Sequence, residues 1–76
     1  MNKERKLRFD DVISSLDEAI GELQDIQSEE EEAYDALPEG LQASERGDKM
    51  QEWIDFIDET VDEVNTVIDK INSQTK

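Results

Sequence analysis

The fold of this chain is constrained most by two long apolar repeats, one on each side of its only proline, Pro38. With Phe9 as position a of a heptad, apolar residues recur at positions a, d and e, and the second repeat does the same from Met50. Apolar residues three and four apart line one face of an α-helix, whereas a half-buried strand needs an alternation that neither repeat has. The sequence therefore predicts two amphipathic helices and no sheet.

The apolar stripe of each predicted helix is three columns wide. The first stripe consists of Phe9, Leu16, Leu23 and Leu37 at a, Val12, Ala19, Ile26 and Ala33 at d, and Ile13, Ile20 and Tyr34 at e. The second consists of Met50, Ile57, Val64 and Ile71 at a, Trp53 and Val67 at d, and Ile54, Val61 and Ile68 at e. This is wider than the seam of a two-stranded coiled coil and is typical of a helix packed into a bundle.

A connector over residues 37–44 separates the two predicted helices. Pro38 disfavours helical geometry at the residue before it, and Gly40 permits a positive φ, so the first helix is predicted to end here. Two starts compete for the second helix. Ser44, followed by an acidic first turn, is the N-cap that we favour, and Asp48, with a glutamine three residues on, offers a capping box.

Both predicted helices belong to a single domain over residues 1–76. The first covers about residues 6–36 and the second about residues 45–72, because the basic N-terminus opposes the helix dipole and no apolar residue follows Ile71. Helices of equal length joined by a short connection are predicted to be antiparallel neighbours. The sequence thus predicts an all-α fold, an antiparallel two-helix hairpin that resembles a coiled coil.

The antiparallel pairing also predicts which residues meet. It places Leu23 near Ile57 in the middle of the seam and Ala33 near Gly47 beside the connector. Gly47 then lies on the apolar side of its helix, where two backbones are able to approach closely.

A single hairpin leaves part of each wide stripe uncovered, which predicts self-association. Below roughly 80 residues one core seldom supplies more than a few kcal/mol, and oligomerisation is a common remedy. We therefore expect a helical bundle, as a dimer or higher oligomer. Trp53 is interpreted either as core or as interface, and Phe56, at position g, as interface. The residues predicted for self-association are Ile13, Ile20, Trp53, Phe56, Val61 and Ile68.

The residue types present exclude several classes of site. The chain has no His and no Cys, so it has no disulfides, no Cys/His zinc site and no catalysis that depends on either residue. Its many carboxylates lie on predicted convex helix surfaces, which do not separate their pKa values as acid/base catalysis requires. We expect no enzymatic activity, no cofactor and no metal site.

The start of the chain and its net charge predict the cellular location and the classes of partner. The start of the chain is basic, but Asp10 and Asp11 interrupt the apolar run that a signal peptide would need. The formal net charge of −14 disfavours contact with anionic lipid or with a nucleic-acid backbone. We expect a cytoplasmic protein that does not bind membranes or nucleic acid directly.

The distribution of charge points towards a protein partner. Residues 1–8 carry a net charge of +3, and residues 9–45 contain thirteen acids and no base. Exposed helices usually mix acids and bases, since like charges at i, i+4 cost a few tenths of a kcal/mol per pair. Three explanations compete. The acidity serves solubility or adaptation to high salt, it selects a basic partner, or it imitates the phosphate rows of nucleic acid. The predicted partner-binding residues are Asp10, Asp11, Asp17, Glu18, Asp25, Glu31, Glu32, Asp55, Asp58, Glu59 and Asp62.

The connector LPEGLQASERGDKM, between a glutamate run and an acid-rich apolar repeat, resembles that of small acidic helical-hairpin proteins encoded by phages and prophages. The resemblance covers about residues 26–71 and implies no activity or site residues. It implies a phage-type context, in which small acidic proteins often inhibit host machinery, and therefore the host cytoplasm as location.

Two functions follow from these observations. The first is a non-enzymatic acidic hairpin that self-associates and binds a basic, nucleic-acid-handling host or defence protein, as an inhibitor or nucleic-acid mimic. The alternative is a structural or oligomerisation module whose acidity serves only solubility.

Overall fold

A computed structural model describes all residues from 1 to 76, and it is helical almost throughout. Helices account for 89% of the residues and there is no strand. The three helices are α1, Lys3–Asp35, α2, Glu39–Gln42, and α3, Glu45–Thr75. The all-α prediction is confirmed.

The two long helices pack against each other along an elongated body. Its extents are 59 × 15 × 12 Å, and α1 and α3 are each about 50 Å long at 1.5 Å per residue. Both helices therefore lie side by side along the long axis. Across the contact, Gln27 Nε2 donates a hydrogen bond to the backbone oxygen of Ile54 at 3.2 Å.

The core between α1 and α3 is a narrow seam of residues from positions a and e. Its centre is the most buried side chain, Ile57, which clusters with Ile20, Val61 and Ile68. Leu23 packs against the same cluster, as expected from its predicted layer with Ile57. The other partly buried members of the seam are Ile13, Leu16 and Val64.

The third apolar column, position d, stays outside the seam. Val12, Ile26, Trp53 and Val67 are each between 45% and 58% exposed. A single hairpin was expected to leave part of each stripe uncovered, and position d is that part; of the two interpretations of Trp53, a place in the core does not hold for a single chain. Two helices cover only the residues that lie between their axes, and a third column needs a further helix to cover it.

Both long helices extend further than predicted. At the N-terminus, the side chain of Asn2 accepts a hydrogen bond from the backbone N–H of Arg5 at 2.9 Å, and this cap starts α1 at Lys3. At the other end, Thr75 is still helical, and its Oγ1 donates to the backbone oxygen of Ile71 at 2.9 Å. The prediction that residues 3–5 and 73–75 lie outside the helices is therefore wrong.

The connector is more ordered than predicted, since it contains the helical turn α2. Gly40 lies inside this turn, and no glycine has a positive φ. Gln42 Nε2 donates to the backbone oxygens of Tyr34 and Leu37, both at 3.2 Å, and so ties α2 to the last turn of α1 and to the start of the connector. Ser44 precedes α3 as its N-cap residue, as favoured, but its hydroxyl donates to the backbone oxygen of Leu41.

Gly47 permits the close approach of α3 to the connector. It is buried, and a Cβ built on it would lie 2.1 Å from the backbone oxygen of Gln42. The close approach was correctly predicted, but its partner was not. Ala33 is exposed, and the neighbour of Gly47 is Gln42, because α2 brings the connector backbone over the start of α3.

Gly47→Ala is expected to destabilise the fold. The added methyl must displace backbone, and overpacking of this kind typically costs about 1–3 kcal/mol of unfolding free energy. Gly21→Ala is the matched control, because nothing lies within 4 Å of a Cβ at Gly21, and it should add about 0.5–1 kcal/mol in mid-helix. Urea denaturation at equal protein concentration measures both. A Gly47→Ala midpoint equal to the parent's would contradict this packing.

Candidate interaction surfaces

All eleven acids predicted to bind a partner are exposed, and none belongs to the seam. They occupy only three heptad positions: b, c and f. Position b holds Asp10, Asp17, Glu31 and Asp58, position c holds Asp11, Glu18, Asp25, Glu32 and Glu59, and position f holds Asp55 and Asp62.

These acids form rows along the helices. Successive pairs such as Asp10–Asp11 and Asp17–Glu18 are seven residues apart, or about 10 Å at 1.5 Å per residue. On α3, Asp55 Oδ1 accepts a hydrogen bond from Gln51 Nε2 at 3.1 Å. No group of three or more acidic side chains is arranged to hold a metal ion. The rows are an extended negative surface that faces solvent.

A second surface consists of exposed apolar residues at positions d and g. Its most prominent members are Trp53 and Phe56, which are 58% and 52% exposed. Their rings meet edge to face, with centroids 5.6 Å apart and an interplanar angle of 89°, an arrangement that aromatic pairs favour. The other members are Val12, Ala19, Ile26 and Ala33 on α1 and Val67 on α3.

The bases of the chain are concentrated at these same two positions. Positions d and g hold five of the eight bases and only three acids. The local charge is therefore weakly positive in a chain whose net charge is −14. The bases are Arg5, Arg8, Arg46, Lys49 and Lys70, and the acids are Glu22, Glu29 and Glu63.

Two shallow grooves are lined mainly by residues at positions d and g, and each also has one acid at position c, Asp11 in the first and Glu52 in the second. One is at the start of α1 and includes Arg5, Arg8 and Val12, and the other includes Trp53 and Phe56 on α3. Concave surface and exposed apolar side chains thus occur together. No polar or charged side chain is buried anywhere in the chain.

Four of the six residues predicted for self-association must be reassigned. Ile13, Ile20, Val61 and Ile68 pack in the seam between α1 and α3, where a single chain already covers them. The reason is that position e, together with a, faces the other helix.

Trp53 and Phe56 remain accessible, and their role in self-association stays a prediction. The exposed d residues Val12, Ile26 and Val67 were missed as interface candidates. The signal that identifies them is the width of the stripe, which exceeds what one partner helix covers.

None of the three helices combines the length and the apolar content that a membrane span requires. Comparison of the chain with protein-family models, with curated proteins and with solved structures gives no match. The argument about function therefore depends on the two surfaces themselves.

Proposed function

We propose that this chain is a non-enzymatic, antiparallel helical hairpin that self-associates and binds a basic protein partner through its acidic surface. The length of the connector supports the antiparallel arrangement. Residues 36–44 span at most about 30 Å when fully extended, which is too short to return the chain to the far end of a helix of about 50 Å. α3 therefore runs back along α1.

The antiparallel arrangement gives the hairpin two different sides. A twofold axis perpendicular to the plane that contains two antiparallel helices exchanges the helices. It does not exchange the two sides of the pair. Residues at the same heptad position of α1 and α3 therefore lie on the same side of the hairpin. We call positions d and g of both helices the apolar flank, and positions b, c and f the acidic face.

The observation that carries the proposal is the segregation of charge between these two sides. Solubility needs a net charge, but it does not need the acids on one side, and mixing the bases among them would relieve repulsion at i, i+4. A segregated field steers a basic partner towards one face and orients it on arrival. Rows of carboxylates along a rod also offer the contacts that a nucleic-acid-binding protein makes with phosphates.

The proposed partner is a basic, nucleic-acid-handling protein. In the phage-type context that the connector suggests, the chain acts in the host cytoplasm as an inhibitor that occupies a nucleic-acid site. The second candidate function, an oligomerisation module with acidity for solubility, is favoured by the exposed apolar flank.

Matched charge reversals test the proposal. The first variant, Asp17→Lys with Glu18→Lys, changes the acidic face, and the second, Glu22→Lys with Glu63→Lys, changes the apolar flank by the same amount. Both have a net charge of −10 instead of −14. Each immobilised chain is exposed to host lysate at low and at high salt, and retained proteins are tested for displacement of DNA or RNA.

The expected result is a basic protein that the parent and the apolar-flank variant retain at low salt and that the acidic-face variant loses. The parent should also compete with nucleic acid for that protein. Equal losses with both variants would mean that only net charge matters, and this would favour the module whose acidity serves solubility.

A further inference from the structure

We infer that the apolar flank is covered by a second copy of this chain, with the connector ends of the two copies at opposite ends of the dimer and Ala19 beside Ala19 on the twofold axis. This inference rests on the hairpin and the self-association proposed above. It adds the surface, the orientation and the register of the contact.

The size of the flank suits a small dimer. From Arg5 to Ala33 it is about 40 Å long at 1.5 Å per residue, and the body is 15 Å wide. Two copies in contact over this rectangle bury roughly 1,200 Å², which is at the lower end of stable protein interfaces. Exposed apolar side chains grouped on one face and bordered by charged residues are typical of a protein interaction site.

The spacing of the d column on α1 fits an antiparallel copy. When α1 of each copy packs along α1 of the other with Ala19 opposite Ala19, Val12 of each copy lies opposite Ile26 of the other. Arg5 then lies opposite Ala33. The small side chains at the centre permit close approach, and larger apolar side chains meet on either side of it.

Charge decides between this orientation and the parallel one. The antiparallel dimer places residues 1–8, with a net charge of +3, beside the run Glu29–Glu32 of the second copy. In particular, Arg8 lies close to Glu29 of the second copy. A parallel dimer places the two basic ends together and brings Arg8 towards Lys70, so it replaces attraction by repulsion.

On the α3 side, the same register brings the aromatic pair Trp53–Phe56 towards Val67 and Lys70 of the second copy. The lysine ammonium and the faces of the rings are suited to a cation–π contact. Glu63 is the one unfavourable member, since it approaches Glu63 of the second copy at the solvent edge. Glu63→Gln should therefore tighten the dimer.

Cysteine cross-linking tests the register directly, because the chain has no cysteine of its own. Disulfides form when the two Cα atoms are about 4.4–6.8 Å apart. Under mild oxidation, most Ala19→Cys chains should form a covalent dimer. Gln24→Cys is the control on the acidic face, and it should remain monomeric on a non-reducing gel.

A charge exchange tests the orientation. Arg8→Glu and Glu29→Arg should each raise the dimer dissociation constant about tenfold, since each places two like-charge pairs at the rim. The double variant should restore it. Sedimentation measures these constants, and the emission of Trp53, the only tryptophan, should shift to longer wavelength when the protein is diluted.

Other outcomes of these experiments would contradict either the register or self-association itself. A dimer in which Ala19→Cys does not cross-link, or in which Ile26→Cys cross-links with Trp53→Cys of another chain, contradicts the register and leaves self-association in place. A folded monomer at micromolar concentration contradicts self-association as well. Binding of a basic partner is read out separately by the variant Asp17→Lys with Glu18→Lys.

Discussion

Ile57→Asp should abolish the far-UV circular dichroism of a helical protein, whereas Ile26→Asp should leave the chain helical. The two variants place the same carboxylate at isoleucines that differ mainly in burial. Ile57 is 4% exposed at the centre of the seam, and Ile26 is 48% exposed on the apolar flank. Leu23→Asp, at a half-buried seam position, is expected to act like Ile57→Asp.

The loss of folding stability expected for Ile57→Asp is large because the seam is small. Removing a buried isoleucine costs about 2–5 kcal/mol, and the new carboxylate must in addition stay hydrated or take up a proton. A chain below roughly 80 residues has only a few kcal/mol of stability in its core. The Ile26→Asp chain should instead sediment as a monomer. A fully folded Ile57→Asp variant would contradict the seam described above.

Reversal of two acidic pairs should slow association with the proposed basic partner by a factor of about 10 to 1,000 at low salt. The variant changes Asp10, Asp11, Asp17 and Glu18 to Lys, which takes the net charge from −14 to −6. Steering by exposed charge is screened beyond about 8 Å in physiological salt. The variant's association rate should therefore depend much less on salt than the parent's, and stopped-flow mixing measures both.

Stability is the control for this reversal. All four residues are exposed, so the variant should unfold at the same or a slightly higher temperature, since repulsion between like neighbours is relieved. A partner that binds the reversed chain as quickly and as tightly as the parent would contradict the proposed role of the acidic face as a nucleic-acid mimic. The apolar flank around Phe56 would then be the surface to examine.

Periodicity predicted the helices because burial and helical geometry impose the same spacing. It did not predict which columns form the seam, because Val12 at d and Ile13 at e are equally apolar and differ only in what covers them. The use of Ile13, and not Val12, depends on how α3 packs on α1. That information lies in the pairing of the two helices and not in either repeat.

The ends and the connector depended on single hydrogen bonds that a pattern of apolar residues does not reveal. Asn2 extends α1 through one cap, and Gln42 closes its other end through its side-chain amide. The exposure of the eleven acids could be predicted, since charged residues seldom leave the surface, and their role in partner binding stays a prediction. The concentration of bases on the apolar flank was missed because charge was counted by segment, and it emerges only when residues are grouped by column.

The seam near the connector combines polar and apolar residues, and this affects how the chain folds. Beside the turn the seam holds Gln27 and half-buried Glu30, whereas the apolar cluster lies farther along, among residues 13–23 and 57–68. Pairing that starts at the turn buries Ile54 and partly buries Tyr34, Leu37 and Met50, and the larger apolar cluster forms only beyond them. Contacts between the two halves of that cluster close a loop of more than thirty residues, for which doubling the loop length costs only about 0.6 kcal/mol. The connector is consequently the part of the chain where added residues alter the folding rate and stability least.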